Sequence, residues 1–429
     1  MKLLIKGGRI IDPANNLDMT GDVLIEDGLI KAVAPAITAG DDAEVMDAAG
    51  LIVCPGFIDM HVHLREPGFE YKETIATGVR AAAVGGFTTV SCMPNTDPVC
   101  DNRAVASFVV EAARREGLVN VHPIGCITKG QQGQEITEMA ALVEAGCVGI
   151  SDDGKPVMNA EVMRRALEYA LMFKLPVVSH CEDANLSEGG QMHEGYYSTL
   201  YGLKGIPAVA EESMVARDIM LTRMTGSRLH IAHISTRESL ELVRKAKESG
   251  INVSCEVTPH HLTLTDKELA EYDTDYKVNP PLRSLEHVEA LIAGLRDGTI
   301  DCLASDHAPH EKEVKDCEFN LAAFGISGLE TAVPVVFTHL VATGKVDVNT
   351  VVKAWTVGPA RVLGLDRGTL TPGKVADITI IDPNESRRVD PQQFYSKGKN
   401  NPYKGMNLKG WPYATLVNGR VIAWKGQLV

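Results

Sequence analysis

The chain has 429 residues, a length that suits two to three domains of ordinary size. Its 45% apolar, 23% charged and 5% aromatic content excludes disordered, collagen-like and disulfide-scaffold classes. A formal charge of −14 without a basic block argues against nucleic acid or an anionic membrane surface as partner, and the apolar runs are far shorter than the ~20 residues of a membrane span. Met1 opens directly onto Lys2-Leu3-Leu4-Ile5-Lys6, with no apolar signal core. Nine scattered cysteines, with no Cys-x-x-Cys pair, predict reduced, mostly buried thiols and a cytoplasmic location.

Residues 1–50 carry short strand patterns around Gly7-Gly8 and Asp27-Gly28. From residue 51 the chain alternates extended apolar runs with amphipathic helical ones. Strands are predicted over 51–61, 88–95, 119–125, 148–153, 176–180, 229–233, 251–257 and 301–306. Helices are predicted over 74–84, 103–115, 136–145, 161–173, 211–224, 238–249 and 285–296, most of them stopping at a glycine such as Gly117, Gly226 or Gly298. Eight such units in about 250 residues fit a (β/α)8 TIM barrel, of α/β class. No glycine-rich phosphate loop follows the first strand, which disfavours a doubly wound open sheet. Residues 376–381 and 415–424 return to strand patterns, with Asn418-Gly419 as a hairpin signal. The two ends are expected to pair into a small β-sandwich domain, residues 1–52 with 368–429, beside a barrel domain at 53–367.

Catalytic groups of such barrels cluster at the C-terminal ends of the strands. The first strand ends Asp59-Met60-His61-Val62-His63-Leu64-Arg65, and residues two apart on a strand share a face. The fourth ends Ser151-Asp152-Asp153-Gly154, the fifth at His180, the sixth at His233 and the eighth at Ser305-Asp306-His307-Ala308-Pro309-His310. Four histidines and at least two aspartates therefore converge on one mouth. Nitrogen and oxygen donors without cysteine suit Zn²⁺, with Mn²⁺, Co²⁺ or Fe²⁺ as alternatives, and six ligands suit two metals rather than one. His230, three residues before His233, is expected to face the other way and pack. Cys92, Cys181 and Cys302 read as filler in packed strands.

His61-x-His63, His180, His233 and Asp306 resemble the ligand pattern of the amidohydrolase superfamily. The strings running from Pro55 to Gly68, Met93-Pro94-Asn95-Thr96, Val278-Asn279-Pro280-Pro281-Leu282-Arg283 and Ser305 to His310 resemble the dihydroorotases, most closely the bacterial class I enzymes, over nearly the whole chain. That resemblance implies reversible cyclisation of N-carbamoyl-L-aspartate to L-dihydroorotate in de novo pyrimidine synthesis. It implies a zinc-dependent cyclic amidohydrolase with two Zn²⁺ per subunit: His61, His63 and Asp306 on one, His180 and His233 on the other, and Asp153 on both. Lys155 is the alternative bridge, if carboxylated. A metal-bridging hydroxide would attack the ring amide, with Asp306 as the catalytic proton shuttle. Substrate contacts are implied for His63, Leu64, Arg65, Asn95, Asn279, His310, Phe324 and Gly325. Arg65 supplies a fork of donors for the ring carboxylate, and Asn95 and His310 supply further donors. His260, His261 and His307 are expected to support the site without binding metal, and residues 311–323 are expected to form a lid. The partner is a small-molecule substrate. The resemblance further implies a homodimer and allows association with aspartate transcarbamoylase. A hydantoinase or dihydropyrimidinase activity is the competing expectation, and it has no need of Arg65. A non-catalytic scaffold would have lost metal ligands that this chain retains.

Overall fold

The structure, a computed structural model, describes residues 2–40 and 42–429. Among these residues eight parallel strands follow one another in chain order: β1 (Phe57–Val62), β2 (Phe87–Cys92), β3 (Asn120–Gly125), β4 (Gly149–Ile150), β5 (Pro176–Ser179), β6 (Arg228–Ile231), β7 (Val253–Val257) and β8 (Cys302–Leu303). A parallel bridge from Val62 to His307 brings the chain beyond β8 back to β1 and closes the ring. Seven helices cross between successive strands: α1 (Ile75–Val84), α2 (Arg103–Glu116), α3 (Met139–Glu144), α4 (Ala160–Met172), α5 (Val209–Thr225), α6 (Arg237–Glu248) and α7 (Leu285–Asp297). A helix at Val348–Trp355, α8, follows β8. This is a (β/α)8 barrel.

Local chemistry sets where the elements begin and end. The Asn102 side chain accepts the N–H groups of Ala104 and Val105 and starts α2. Gly117, at φ 64°, ends that helix in the left-handed region that a side chain would resist. Met60, Met93, Ile124, Val178, Ala232 and Ala304 share one buried cluster. Outside them Phe57, Phe87 and Trp355 pack with ring centroids 5.0–6.4 Å apart.

β4 and β8 are shorter than the sequence predicts, and the cause is side-chain competition for backbone groups. Asp152 accepts the N–H groups of Ile127 (2.8 Å) and Thr128 (3.1 Å), drawing the chain out of the ladder after Ile150. Asp59 takes the N–H of Ser305 at 3.1 Å in the same way beyond β8. Asp153 and Asp306 therefore stand on loops just past the strand ends.

The two ends of the chain share a second sheet. Ile52–Pro55 runs parallel to Lys2–Asp12 on one side and antiparallel to Ile378–Arg388 on the other. Leu17–Glu26 and Leu29–Ala34 extend it in one direction, Asn407–Val417 and Arg420–Trp424 in the other. Asn418 (φ 51°) and Gly419 (φ 74°) make the two-residue turn between the last pair. Ile5, Ile10, Val53, Ile378 and Leu416 form part of the core of this sheet.

Candidate active site

Strand alternation brings His61 and His63 to one face of β1, with His63 just beyond its end. His180 is the first residue past β5, and His233 is the second past β6. His233 (φ 31°), Asp306 (φ 46°) and Arg65 (φ 61°) all hold left-handed backbone conformations that cost a non-glycine residue energy. All three lie at the mouth, and the turn beyond each strand swings the side chain inward. The same turn overturns one expectation. His230 does not face away from His233, because the strand alternation stops at Ile231. Its Nε2 lies 3.2 Å from Glu256, which in turn bonds His61.

The histidines and aspartates come together as one cluster. His61, Asp153 and His233 present ligand atoms within 4.8 Å of one another, and so do His61, His63 and Asp306. Asp153 Oδ1 is 3.5 Å from His61 Nε2, 3.4 Å from His180 Nδ1 and 3.6 Å from His233 Nε2. His63 Nε2 is 3.2 Å from Asp306 Oδ1 and 3.5 Å from Asp153 Oδ2. Lys155 is exposed in the loop beyond.

Burial opposes charge throughout the cluster; at His63 it prevails, with Arg65 adding to it, and lowers the pKa, whereas at His61, His180 and Asp306 neighbours of opposite sign outweigh it. Asp153, Glu256 and Asp306 hold the pKa of His61 well above its ordinary value. Asp153 and Glu182 raise that of His180 to about 10. His61, His63 and His233 hold the Asp306 carboxyl well below the usual carboxylate range.

The donor set fits a metal centre on three grounds. It offers imidazole and carboxylate ligands without sulfur, which suits Zn²⁺ and its neighbours. His61 Nε2 and Asp153 Oδ1 are buried without a hydrogen-bond partner, a costly arrangement in a protein interior unless a cation satisfies them. The outward-facing nitrogens are already fixed: His61 Nδ1 by Glu256 (2.6 Å), His63 Nδ1 by Asn95 (2.8 Å) and His180 Nε2 by Glu182 (2.8 Å). Such outer partners set the tautomer that turns a lone pair toward an ion.

A cavity of about 270 Å³ opens above the cluster. Arg65, Asn95, Asn279, His310, Phe324 and Gly325 all reach its wall. Arg65 is half-buried, and that partial burial lowers its pKa to about 10 and still leaves it charged at neutral pH. Asn95 spends its Oδ1 on His63, so its NH2 group remains free to donate. Leu64 departs from expectation: its side chain is 2% exposed, lies in the apolar core and abuts Gly78, so it does not line the cavity. His310 Nε2 lies 2.9 Å from the Phe324 carbonyl and 3.5 Å from the Arg65 guanidinium, and burial with Arg65 beside it pushes its pKa down to about 2. Its Nδ1 is buried without a hydrogen-bond partner. At Gly325 (φ 141°) a Cβ would stand 2.6 Å from the Ala308 carbonyl oxygen, so only glycine fits.

The loop at 311–323 is held from within. Phe319 and Ala322 are buried, and the Lys315 ammonium donates to the carbonyls of Ala323 (2.9 Å) and Gly325 (3.2 Å). Asn400, from the segment between the terminal-sheet strands Ile378–Arg388 and Asn407–Val417, accepts the N–H of His310 (3.2 Å) and donates to the carbonyl of Gly325 (2.8 Å). Sequence reasoning missed Asn400, Glu182 and Glu256. Only Glu256 left a signal, as a lone charge in the apolar strand Val253–Val257. His261 bonds the Pro280 carbonyl at 3.0 Å and His307 lies 3.2 Å from buried Glu73, both supporting roles.

Comparison with known proteins agrees with this geometry. A family profile described as Dihydro-orotase-like matches residues 50–239, and one described as Amidohydrolase family matches 223–423. Dihydroorotases of Pelotomaculum thermopropionicum and Acetivibrio thermocellus are 60% and 52% identical, each alignment covering 98% of both chains. A dihydroorotase of a Geobacter species is 54% identical over 99% of this chain and 100% of its own. Among solved structures, an L-hydantoinase (dihydropyrimidinase) from Arthrobacter aurescens has a TM-score of 0.90 at 27% identity, covering 100% of this chain and 97% of the other. Hydantoinases thus share the architecture, but identity above one half, sustained from end to end, is found with one group of relatives, and the chain belongs to the dihydroorotase family of the amidohydrolase superfamily.

Proposed function

We propose that this cyclic amidohydrolase interconverts N-carbamoyl-L-aspartate and L-dihydroorotate in pyrimidine synthesis, as a bacterial class I enzyme with two Zn²⁺. The carrying observation is Arg65. Its half-buried guanidinium stands on the cavity wall beside His63, and a partly desolvated cation of that shape asks for a carboxylate. L-Dihydroorotate carries a ring carboxylate; hydantoin and dihydrouracil do not. An aspartate at position 153, in place of a carboxylated lysine, supports the class I assignment.

His61, His63 and Asp306 would hold one ion, His180 and His233 the other, and Asp153 both. When bound, the ions lower the pKa of water and polarise the ring carbonyl. Asp306 does the proton work. Its carboxylate, ionised by the surrounding imidazoles, accepts the proton of the attacking water and delivers it to the departing ring nitrogen. Run backwards, the same carboxylate takes a proton from the ureido nitrogen as the ring closes. Arg65 fixes the ring carboxylate while the Asn95 amide adds a donor. The closely held wall at His310 and Gly325 keeps the ring in register and excludes bulk water.

Turnover of L-dihydroorotate, dihydrouracil and hydantoin by the zinc-loaded protein tests this reading. Hydrolysis confined to L-dihydroorotate is expected. Equal or faster turnover of the uncharged rings would move the chain to the hydantoinase side.

A further inference from the structure

Glu182 carries a largely buried carboxylate that the mechanism above does not use. It lies two residues beyond His180, and its Oε2 accepts from His180 Nε2 at 2.8 Å and from Asn279 Nδ2 at 2.9 Å. A carboxylate engaged by these two donors has only acceptor sites to offer. The Asn279 amide must therefore turn its NH2 group toward Glu182, which leaves its Oδ1 directed away from that contact. Asn279 lines the cavity. The backbone on either side of it is held, the Lys277 carbonyl taking the Gly325 N–H at 2.9 Å and the Pro280 carbonyl bonding His261 Nε2 at 3.0 Å.

We infer that Glu182 is a specificity-determining positioning residue: by fixing the Asn279 amide it presents an acceptor to the ligand, so that the cavity selects an N–H at that edge of the ring over an oxygen. The inference deepens the proposed function and rests on it for the identity of the ring. An Asn–Glu pair has one arrangement, whereas an Asn–Gln pair has two, since glutamine offers both a carbonyl and an NH2 group. Glu182→Gln therefore frees the Asn279 amide to rotate at nearly constant volume.

The test is calorimetric binding of L-dihydroorotate and of the two analogues in which one or the other ring N–H is replaced by oxygen. Wild type, Glu182→Gln, Asn279→Ala and the double variant are compared, all zinc-loaded, with zinc content measured on each. Wild type is expected to bind one of the analogues about tenfold more weakly than L-dihydroorotate, the scale of one hydrogen bond. Glu182→Gln should shrink that preference to about twofold, because a rotated Asn279 donates to the oxygen. On the Asn279→Ala background Glu182→Gln should change the preference no further. An undiminished preference in Glu182→Gln, or an effect that persists without Asn279, overturns the inference. Loss of zinc by Glu182→Gln overturns it too, because the residue would then act through His180. Failure of the proposed function looks different: wild type then binds neither L-dihydroorotate nor its analogues, and the same comparison is read with hydantoin and its ring-oxygen counterparts.

Discussion

The two ends of the barrel both gather charged side chains around a cavity, and they resolve that charge in opposite ways. At the floor, Arg228, Lys247, Asp301 and Arg361 line a cavity of about 590 Å³, larger than the one at the mouth. Each of these four charges has a local answer. Asp301 accepts from Lys247 (2.5 Å), Arg361 (2.6 Å) and the N–H of Cys255 (3.0 Å). Arg228 donates to the carbonyls of Lys174, Arg361 and Val362, and Lys247 to that of Thr299. α6 and α7 end near this face, so cations there also suit the negative ends of the helix dipoles. At the mouth, by contrast, His61 Nε2 and Asp153 Oδ1 are buried and unanswered. Cavity size does not mark the site; buried ligand-type atoms left without partners do.

Four experiments would break or sharpen this contrast, and they descend in expected effect. Asp306→Asn removes the proton acceptor and should lower kcat by about 10²–10⁴-fold while thermal unfolding shifts by only a few degrees. A collapse of the fold instead would make Asp306 a structural residue. Glu256→Ala should weaken metal affinity by about 10–100-fold, read by competition with a chelator, because His61 loses the partner of its Nδ1. At the floor, Asp301→Ala should lower stability by about 1–3 kcal/mol in denaturant unfolding and leave kcat/KM within twofold or so of wild type. A large activity loss there would erase the distinction between the two ends. The smallest effect concerns Glu330, which takes the Ser396 N–H at 3.0 Å behind the mouth. Burial pushes its pKa up to about 8, against roughly 4.3 in an unfolded chain. The folded state holds the proton across that interval, so this contribution is complete below the lower value and is lost as pH rises through the upper one. Glu330→Gln should flatten the decline in unfolding midpoint between about pH 5 and 9; an unaltered slope would remove Glu330 from the account.

What could be read from the sequence follows from what is local. His61 and His63 declare a shared face because they sit two apart on a strand, and the glycine at 117 marks a helix end because only the left-handed region lets the chain turn there. The termini announce their sheet through Asn418-Gly419. Long-range partners leave no such mark. Glu256 reaches His61 across 195 residues and Asn279 reaches Glu182 across 97. Strand periodicity does not reach from His230 to His233, because the strand stops at Ile231. The surroundings of His310 Nε2 include the Phe324 carbonyl, which only the folded loop delivers.

The most direct test of the central claim, that Arg65 makes this mouth a site for a ring carboxylate, is the ratio of kcat/KM for L-dihydroorotate to that for dihydrouracil in wild type and in Arg65→Ala. The account predicts a high ratio in wild type that falls by at least about a hundredfold in the variant, the scale of a charge-assisted bidentate contact. A ratio that Arg65→Ala leaves unchanged, with metal still bound, would contradict it.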